Sequence, residues 1–176
     1  MKLVEVKKEG KYLYNGKVLN LRLDTVLLPD ESLSKREIVE HNGGSAVLVV
    51  KNGKILFVKQ FRYAFNKIVV ELPAGKIDKG ESPFITAKRE LFEECGIIPT
   101  DMALLYEIYP SPGYTNEKIF IYKVTEFKKT KRKLDDGEFL KTVWIGEDKV
   151  KKDLENGKIH DGKTVIALLR YFLEKK

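Results

Sequence analysis

The chain has 176 residues, of which 43% are hydrophobic and 34% are charged. This size corresponds to about one to one and a half ordinary domains, and the composition excludes a disordered or membrane-spanning chain. The single cysteine, Cys95, cannot form an intramolecular disulfide, and residues 1–10 lack the apolar stretch of a signal peptide. We therefore expect a soluble protein in the cytoplasm.

The formal net charge is +7, but the lysines are scattered along the whole chain. Only residues 128–133 (KKTKRK) form a dense basic run, and a run of this kind between two strand-like segments is typical of a solvated loop. The charge balance therefore does not by itself indicate a nucleic-acid partner.

The first forty residues predict short strands at residues 12–14, 19–28 and 36–41, separated by turn residues. Two further strands, 46–51 and 55–60, are joined by Asn52 and Gly53, a pair that favours a tight hairpin. A β-branched run follows at residues 67–72. These elements predict a β-rich first half of the chain.

A helix is predicted from residue 83, where Ser82 can cap its amino end, Pro83 suits the first turn and Gly96 can end it. Later strands are predicted at 104–108, 119–124 and 139–145, and helices at 148–155 and 163–174. Strands and helices at irregular intervals indicate an α+β fold with a mixed sheet between helices, not a doubly wound parallel sheet.

The helical spacing of residues 83–96 places four side chains on one stripe, which we expect to be buried: Phe84, Ala87, Leu91 and Cys95. Glu90 and Glu94 stack on a different face, and Glu93 lies one step round the helix. Like charges at this spacing repel, and a divalent cation would relieve the repulsion. Oxygen ligands suit Mg²⁺ or Mn²⁺ rather than zinc.

The segment from residue 75 to residue 97, GKIDKGESPFITAKRELFEECGI, resembles the Nudix box, G-x5-E-x7-R-E-U-x-E-E-x-G-U with U apolar. Every named position of that pattern is matched: Gly75, Glu81, Arg89, Glu90, Leu91, Glu93, Glu94, Gly96 and Ile97. The resemblance implies a Nudix hydrolase with an α/β/α sandwich fold. Such an enzyme cleaves a nucleoside diphosphate linked to another moiety. Metal ions held by carboxylates would neutralise the pyrophosphate and orient the attacking water.

By the same resemblance, the metal ligands are Glu90, Glu93, Glu94 and the backbone carbonyl of Ala74, with Mg²⁺ the expected ion and Mn²⁺ an alternative. Arg89 is expected to fix the geometry of these carboxylates, and Glu93 also counts among the catalytic candidates.

Residues outside the box resemble the ADP-ribose pyrophosphatase subgroup. They are KQFRYAFNKIVVELPAGKID before the box, Pro112 fifteen residues beyond it, REIVEH at 36–41 and GKIHDGKTVIALL at 157–169. The resemblance implies ADP-ribose as substrate, with AMP and ribose 5-phosphate as products. Arg36 and Arg62 are expected on the diphosphate, because guanidinium binds phosphate oxygens in pairs. Pro112 and Gly113 are expected beside the substrate.

Subgroup members often stack the adenine on aromatic side chains of the amino-terminal region, where this chain offers only Tyr12 and Tyr14; the stacking residue stays open. The subgroup also implies a homodimer. Residues 1–43 would then form an amino-terminal β region that serves dimerisation and the substrate pocket, and residues 44–176 would form the Nudix domain.

The general base is sought among Asp135, Asp136 and Glu138, which lie on one loop before a strand. Subgroup members place a glutamate on a mobile loop near this position, and Glu138 aligns best. Glu93 is the next candidate.

Two alternatives stay open at this point. The first is a Nudix hydrolase of a nucleotide sugar, a dinucleotide cofactor or a dinucleoside polyphosphate. The second is a non-catalytic Nudix-like protein that binds nucleotides or RNA, which the net charge of +7 and the KKTKRK run favour. The complete acidic set argues against it, because a protein that only binds anions gains nothing from clustered carboxylates. We expect a small nucleotide as ligand, and neither nucleic acid nor a membrane as partner.

Overall fold

The structure is a computed structural model that describes residues 3–175. The chain divides into two compact units. One contains the described residues up to Gly43 together with Tyr109–Lys118, and the other contains Gly44–Ile108 and the chain from Ile119 onward. Residues 1, 2 and 176, which belong to the two domains expected from the sequence, lie outside the described part.

The first unit is an antiparallel sheet of three strands, β1 (Val6–Asn15), β2 (Leu19–Leu27) and β3 (Leu33–His41), in the order β1-β2-β3. β1 is longer than the predicted strand at residues 12–14. All ten of its residues are exposed, so its sequence lacks the alternation of apolar and polar residues by which a half-buried strand is recognised. Segment 109–118 joins β3 at Val39, which donates to the Tyr114 carbonyl and accepts from the Asn116 backbone N–H.

In its described residues, up to 175, the second unit contains nine strands, three α-helices and one turn of 3-10 helix (Tyr63–Phe65). The strands are β4 (Gly44–Lys51), β5 (Lys54–Arg62), β6 (Lys67–Glu71), β7 (Ala74–Lys76), β8 (Ile97–Pro99), β9 (Ala103–Ile108), β10 (Ile119–Val124), β11 (Phe127–Lys129) and β12 (Leu140–Gly146). The helices are α1 (Pro83–Cys95), α2 (Glu147–Glu155) and α3 (Gly162–Glu174).

The main sheet of this unit has the order β12-β5-β4-β10-β9, with β6 paired to β5 and β7 paired to β4. β4 and β10 run parallel and the other pairs are antiparallel, so the sheet is mixed as predicted. β8 and β11 form a separate two-stranded ribbon. Asn52 and Gly53 form the hairpin turn between β4 and β5, both with positive φ.

Two hydrophobic cores lie on opposite faces of the main sheet, because successive residues of a strand point to opposite sides. Leu48 and Phe57 belong to the core that includes Val150 of α2 and Leu168 of α3. The other core is built on α1 and contains these residues: Val47, Val49, Leu56, Ala87 and Leu91. The α/β/α sandwich expected from the sequence is confirmed.

Helix α1 begins and ends at the predicted residues. The Ser82 side chain accepts from the backbone N–H of Ile85 at 3.3 Å, and Gly96 has φ 62°, a left-handed conformation that glycine adopts without strain. The prediction that Phe84 is buried was wrong. It lies in the first turn, where it packs edge-on against Tyr122 and leaves 42% of its surface exposed.

The basic run 128–133 was predicted as a loop, but its first two residues belong to β11. The run is exposed, and its backbone is held against the end of α1. Thr130 donates to the Gly96 carbonyl at 2.8 Å, and Lys133 donates to the Glu93 carbonyl at 3.2 Å. A Cβ on Gly96 would overlap the Thr130 carbonyl, so this close approach also requires glycine.

Among residues 3–175, no helix is both long and apolar enough to cross a membrane.

Candidate active site

Two buried carboxylates lie one helical turn apart on α1. Glu90 is 8% exposed and Glu94 is 3% exposed. The Glu94 carboxylate accepts from the backbone N–H of Ala74 at 3.1 Å, and the Glu90 carboxylate lies so close to Gly75 that a Cβ there would overlap it. Strand β7, which contains both Ala74 and Gly75, therefore forms one wall of this acidic site.

The two carboxylates lack full compensation for their charge. Burial raises the pKa of Glu90 to about 7, although the neighbouring Arg89 opposes the shift. Burial and repulsion by Glu90 raise the pKa of Glu94 to about 8. A cation bound between these two carboxylates would reduce the cost of ionising both of them.

Arg89 connects the acidic side chains of α1 to the loop before it. Its Nε and Nη2 donate to the two oxygens of Glu81 at 3.1 and 3.0 Å, and its Nη1 donates to Glu90 at 2.7 Å and to Glu93 at 3.0 Å. Nη2 also donates to the Lys76 carbonyl at 3.2 Å. One guanidinium therefore fixes three carboxylates and the last residue of β7.

Glu138 lies on an exposed turn before β12, where its backbone N–H donates to the Asp135 carbonyl at 3.1 Å and Gly137 has φ 85°. The negative charge of Glu138 contributes to the raised pKa of both Glu90 and Glu94. Its carboxylate is therefore within electrostatic reach of the acidic site.

Another buried carboxylate, Glu71 at the end of β6, is paired with two cations. Arg62 donates to it from Nε at 2.7 Å and from Nη2 at 2.9 Å, and Lys163 of α3 donates to it at 2.6 Å. Burial would raise its pKa, but these two cations outweigh burial and hold the pKa of Glu71 below its ordinary value. The cluster lines a cavity of about 330 Å³, which Lys67 and His160 also border.

Comparison with known proteins identifies the family. Residues 41–168 match the model described as the NUDIX domain. This chain belongs to the Nudix family.

Two Nudix relatives cover almost the whole chain. A protein of Bacillus subtilis (strain 168) named ADP-ribose pyrophosphatase is 40% identical over 172 residues, 96% of this chain and 93% of the relative. A protein of Bacillus methanolicus named methanol dehydrogenase activator is 40% identical over 171 residues, 95% of this chain and 92% of the relative.

The Nudix fold is also found in a solved structure described as the crystal structure of ADP compounds hydrolase. It superposes with a TM-score of 0.82 and covers 97% of this chain and 95% of its own, at 18% sequence identity. This likeness concerns the fold alone.

Divalent metal is general to Nudix hydrolases, and the acidic site of this chain suits it. Glu90 and Glu94 offer buried oxygen ligands with excess negative charge, which a hard cation would neutralise. Among residues 3–175, no group of three or more acidic, histidine or cysteine side chains is already gathered as a metal site. Glu93, the third expected ligand, bonds to Arg89 instead. Glu90 and Glu94 are therefore the two side chains that are suited, as they stand, to hold a divalent metal.

Of the residues predicted to bind substrate, Arg62 lies in the second unit at the Glu71 cluster, and the remaining three lie in the unit that contains β1–β3. Arg36 pairs with Glu5, its Nε donating at 2.9 Å, and Pro112 and Gly113 are exposed in segment 109–118. The second unit brings together Glu90, Glu94 and Arg89, with Glu138 within electrostatic reach.

Sequence reasoning missed Glu71 and Lys163. The signal available was a charged residue placed among apolar ones, as in VVELP at 69–73, and a lysine directly after the start of a helix. That they meet required the tertiary structure, since 92 residues separate them.

Proposed function

We propose that this Nudix protein hydrolyses the pyrophosphate bond of ADP-ribose in a Mg²⁺-dependent reaction and releases AMP and ribose 5-phosphate. The observation that carries the proposal is the 40% identity, over 96% of the chain, to a relative named ADP-ribose pyrophosphatase. The buried pair Glu90 and Glu94 supports it, because cleavage of a pyrophosphate requires neutralisation of concentrated negative charge.

The reaction consumes one water for each bond broken. The water oxygen attacks one phosphorus, the bridging P–O bond breaks, and the departing phosphate takes the electron pair. A bound divalent metal supplies Lewis-acid polarisation and charge neutralisation at the diphosphate. The remaining tasks fall to side chains of the protein.

Glu90 and Glu94 would hold the metal, with the Ala74 carbonyl and Glu93 as further ligands. Arg89 would keep these carboxylates in place through the bonds that it already makes to Glu90 and Glu93. These contacts support the positioning role that the Nudix resemblance implies for Arg89.

Glu138 would accept the proton of the attacking water. Its charge reaches Glu90 and Glu94, and residues 135–139 are exposed, so the loop has room to close over substrate. Asp135, Asp136 and Glu93 are the competing candidates for this role.

Arg62 would bind the diphosphate, since it lies close enough to Glu94 for the charge of Glu94 to raise its pKa further. Arg36, Pro112 and Gly113 are proposed for the rest of the substrate on the strength of the subgroup resemblance. The adenine would stack on Tyr12 or Tyr14, whose side chains are exposed.

A homodimer is part of the proposal. In the unit that contains β1–β3, Val26 is the only buried apolar side chain among the described residues, while this unit leaves several apolar side chains exposed: Tyr12, Leu13, Tyr14, Val18 and Leu33. A second copy of the chain would cover these side chains. Light scattering at micromolar concentration should report twice the mass of the chain, and a monomer would refute the dimer.

A cytoplasmic location is also inferred, from Cys95 being the single cysteine. A reducing compartment preserves a free thiol. Cell fractionation with a compartment marker tests this inference, and recovery of the protein in a secreted fraction would contradict it.

The alternative is another nucleoside diphosphate derivative as substrate. An equally similar relative is named methanol dehydrogenase activator rather than for a substrate, so the family resemblance does not by itself select ADP-ribose. A panel of ADP-ribose, a nucleotide sugar, a dinucleotide cofactor and a dinucleoside polyphosphate ranks these by kcat/KM. Binding without hydrolysis of any of them would favour the non-catalytic alternative.

The deciding experiment is incubation with ADP-ribose and Mg²⁺, with and without chelator, followed by chromatography of the products. We expect AMP and ribose 5-phosphate in equal amounts, and neither product when the chelator is present. Absence of AMP, while another member of the panel is cleaved, would overturn ADP-ribose as the substrate.

A further inference from the structure

The buried carboxylate of Glu71 joins two cations from distant parts of the chain. Arg62 reaches it from the end of β5 and Lys163 from the first turn of α3. Glu71 is 2% exposed, and a carboxylate at this depth is stable in its charged form only when it is well paired. The three side chains therefore act as one electrostatic unit.

The geometry at Arg62 leaves a defined part of the guanidinium for a further acceptor. Glu71 takes the edge formed by Nε and Nη2. The other edge, formed by Nη1 and Nη2, can bind a second oxyanion in the same two-bond manner. Glu71 thus sets the plane of the guanidinium and the direction of that second edge.

Lys163 is itself fixed from two sides. It donates to Glu71 at 2.6 Å and to Asp161 at 2.8 Å, and Asp161 caps α3 by accepting from the Thr164 backbone N–H. Thr164 Oγ1 accepts from the Leu72 backbone N–H at 2.9 Å. The first turn of α3 is therefore hydrogen-bonded to Glu71 and Leu72, the two residues directly before Pro73.

This unit adjoins the acidic site of α1. The backbone N–H of Ala74, three residues after Glu71, donates to Glu94, and the charge of Glu71 contributes to the raised pKa of Glu94. The charge of Glu94 also acts on Arg62. Arg62 therefore lies near Glu94, and a side chain that orients Arg62 does so beside the proposed metal ligands.

We propose that Glu71 and Lys163 are positioning residues that hold Arg62 in the orientation in which its free edge meets the diphosphate of the substrate. The inference rests on the proposed function, in which Arg62 contacts that diphosphate. Glu71 orients the guanidinium, and Lys163 keeps Glu71 paired while Arg62 shares its hydrogen bonds with phosphate. Neither positioning residue contacts the reacting atoms.

The need for Lys163 follows from competition for Arg62. With Arg62 as its only cation, Glu71 would hold the guanidinium against any incoming anion, because release would leave a buried charge unpaired. The second ion pair, from Lys163, lowers that cost. Loss of Lys163 should therefore weaken substrate binding through Arg62 and leave the chemical step little changed.

The test is a double-mutant cycle of Arg62→Met and Lys163→Met, with KM and kcat measured for ADP-ribose. Each single variant should raise KM about tenfold with a smaller change in kcat, and the double variant should be no worse than Arg62→Met alone, because interacting residues are not additive. Lys163→Arg should restore most of the lost affinity.

Two variants control for charge and for the anchoring of α3. Lys149→Met also removes one positive charge and one ion pair, with Asp153, but on α2 away from the site, and should leave KM unchanged. Thr164→Val removes the hydroxyl's bonds to Leu72 and Asp161 while the backbone cap from Asp161 remains, and should lower the melting temperature without coupling to Arg62. If Lys163→Met does not fold, Lys163→Gln takes its place in the cycle.

Additive effects of the two substitutions on KM, or a change in KM no larger than that of Lys149→Met, would overturn the positioning role. The same cycle is read by calorimetry as binding of inorganic pyrophosphate to the folded protein. If the wild type hydrolyses no ADP-ribose, the proposed function fails, and the pyrophosphate cycle still decides whether Lys163 acts through Arg62.

Discussion

Glu71 and Glu94 are buried almost equally, at 2% and 3% exposure, yet their pKa values shift in opposite directions. The pKa of Glu71 lies below its ordinary value because Arg62 and Lys163 outweigh the cost of burial. The pKa of Glu94 rises to about 8 because burial is reinforced by the neighbouring charge of Glu90. The opposite pKa shifts therefore come from the charged neighbours of each carboxylate and not from how deeply it is buried.

The contrast separates two uses of a buried carboxylate. Glu71 has its counter-charges within the chain and ties β5, β6 and α3 together. Glu94 is hydrogen-bonded to one backbone N–H, and its nearest charged neighbour on the helix is another acid. The first arrangement is balanced within the chain, and a bound cation would balance the second.

The largest expected effect is loss of turnover in Glu94→Gln. A neutral amide is a poorer ligand for Mg²⁺, so the loss should exceed the roughly 10–100-fold that removal of an outer-shell partner of a metal costs. Turnover with saturating Mg²⁺ measures it. In chelator, the variant should melt no lower than the wild type, because a poorly compensated buried charge has been removed. Near-normal activity would show that Glu94 does not hold the metal.

The next largest effect is expected for Glu138→Gln, which tests the proposed general base on the loop before β12. Loss of the general base should lower kcat by about 10²–10⁴-fold with little change in KM. Asp135→Asn and Asp136→Asn are the matched controls on the same loop and should have small effects. Equal losses from all three variants, or none from Glu138→Gln, would move the base to another residue, with Glu93 next.

Glu71→Gln should affect stability where Glu94→Gln does not. Removal of one partner from a buried ion pair leaves the other charges uncompensated, at a cost of about 3–5 kcal/mol in the free energy of unfolding. Denaturant unfolding of the metal-free protein measures it. If the two variants were equally stable, the contrast between the two carboxylates would fail.

The smallest expected effect is the loss of folding stability at acidic pH that arises from Glu71. Because the folded pKa of Glu71 lies below its ordinary value of 4.5, the ion pairs stabilise the fold above about pH 4.5. This contribution is lost as the pH falls through the folded pKa, at about 1.4 kcal/mol for each pKa unit of difference. Unfolding at pH 6 and at pH 3 should therefore show a larger loss for the wild type than for Glu71→Gln, and parallel losses would contradict the pairing.

The amino-acid sequence determined the elements and the chemistry of the acidic helix. Ser82 and Gly96 fixed the ends of α1 through local hydrogen bonding and backbone conformation, and four-residue spacing placed Glu90 above Glu94. The turn at Asn52 and Gly53 set the hairpin between β4 and β5. These features depend on neighbours within a few residues, so a linear pattern contains them.

Tertiary structure decided the burial and the charge state of the carboxylates. Glu71 meets Lys163 across 92 residues, and Ala74 meets Glu94 across 20, and no local pattern encodes either contact. Phe84 shows the same limit, since helical spacing placed it on the buried stripe and its position at the helix end left it exposed. The energy of a buried charge depends on every group around it in space, so only the folded chain distinguishes the paired acid, Glu71, from the poorly compensated acid, Glu94.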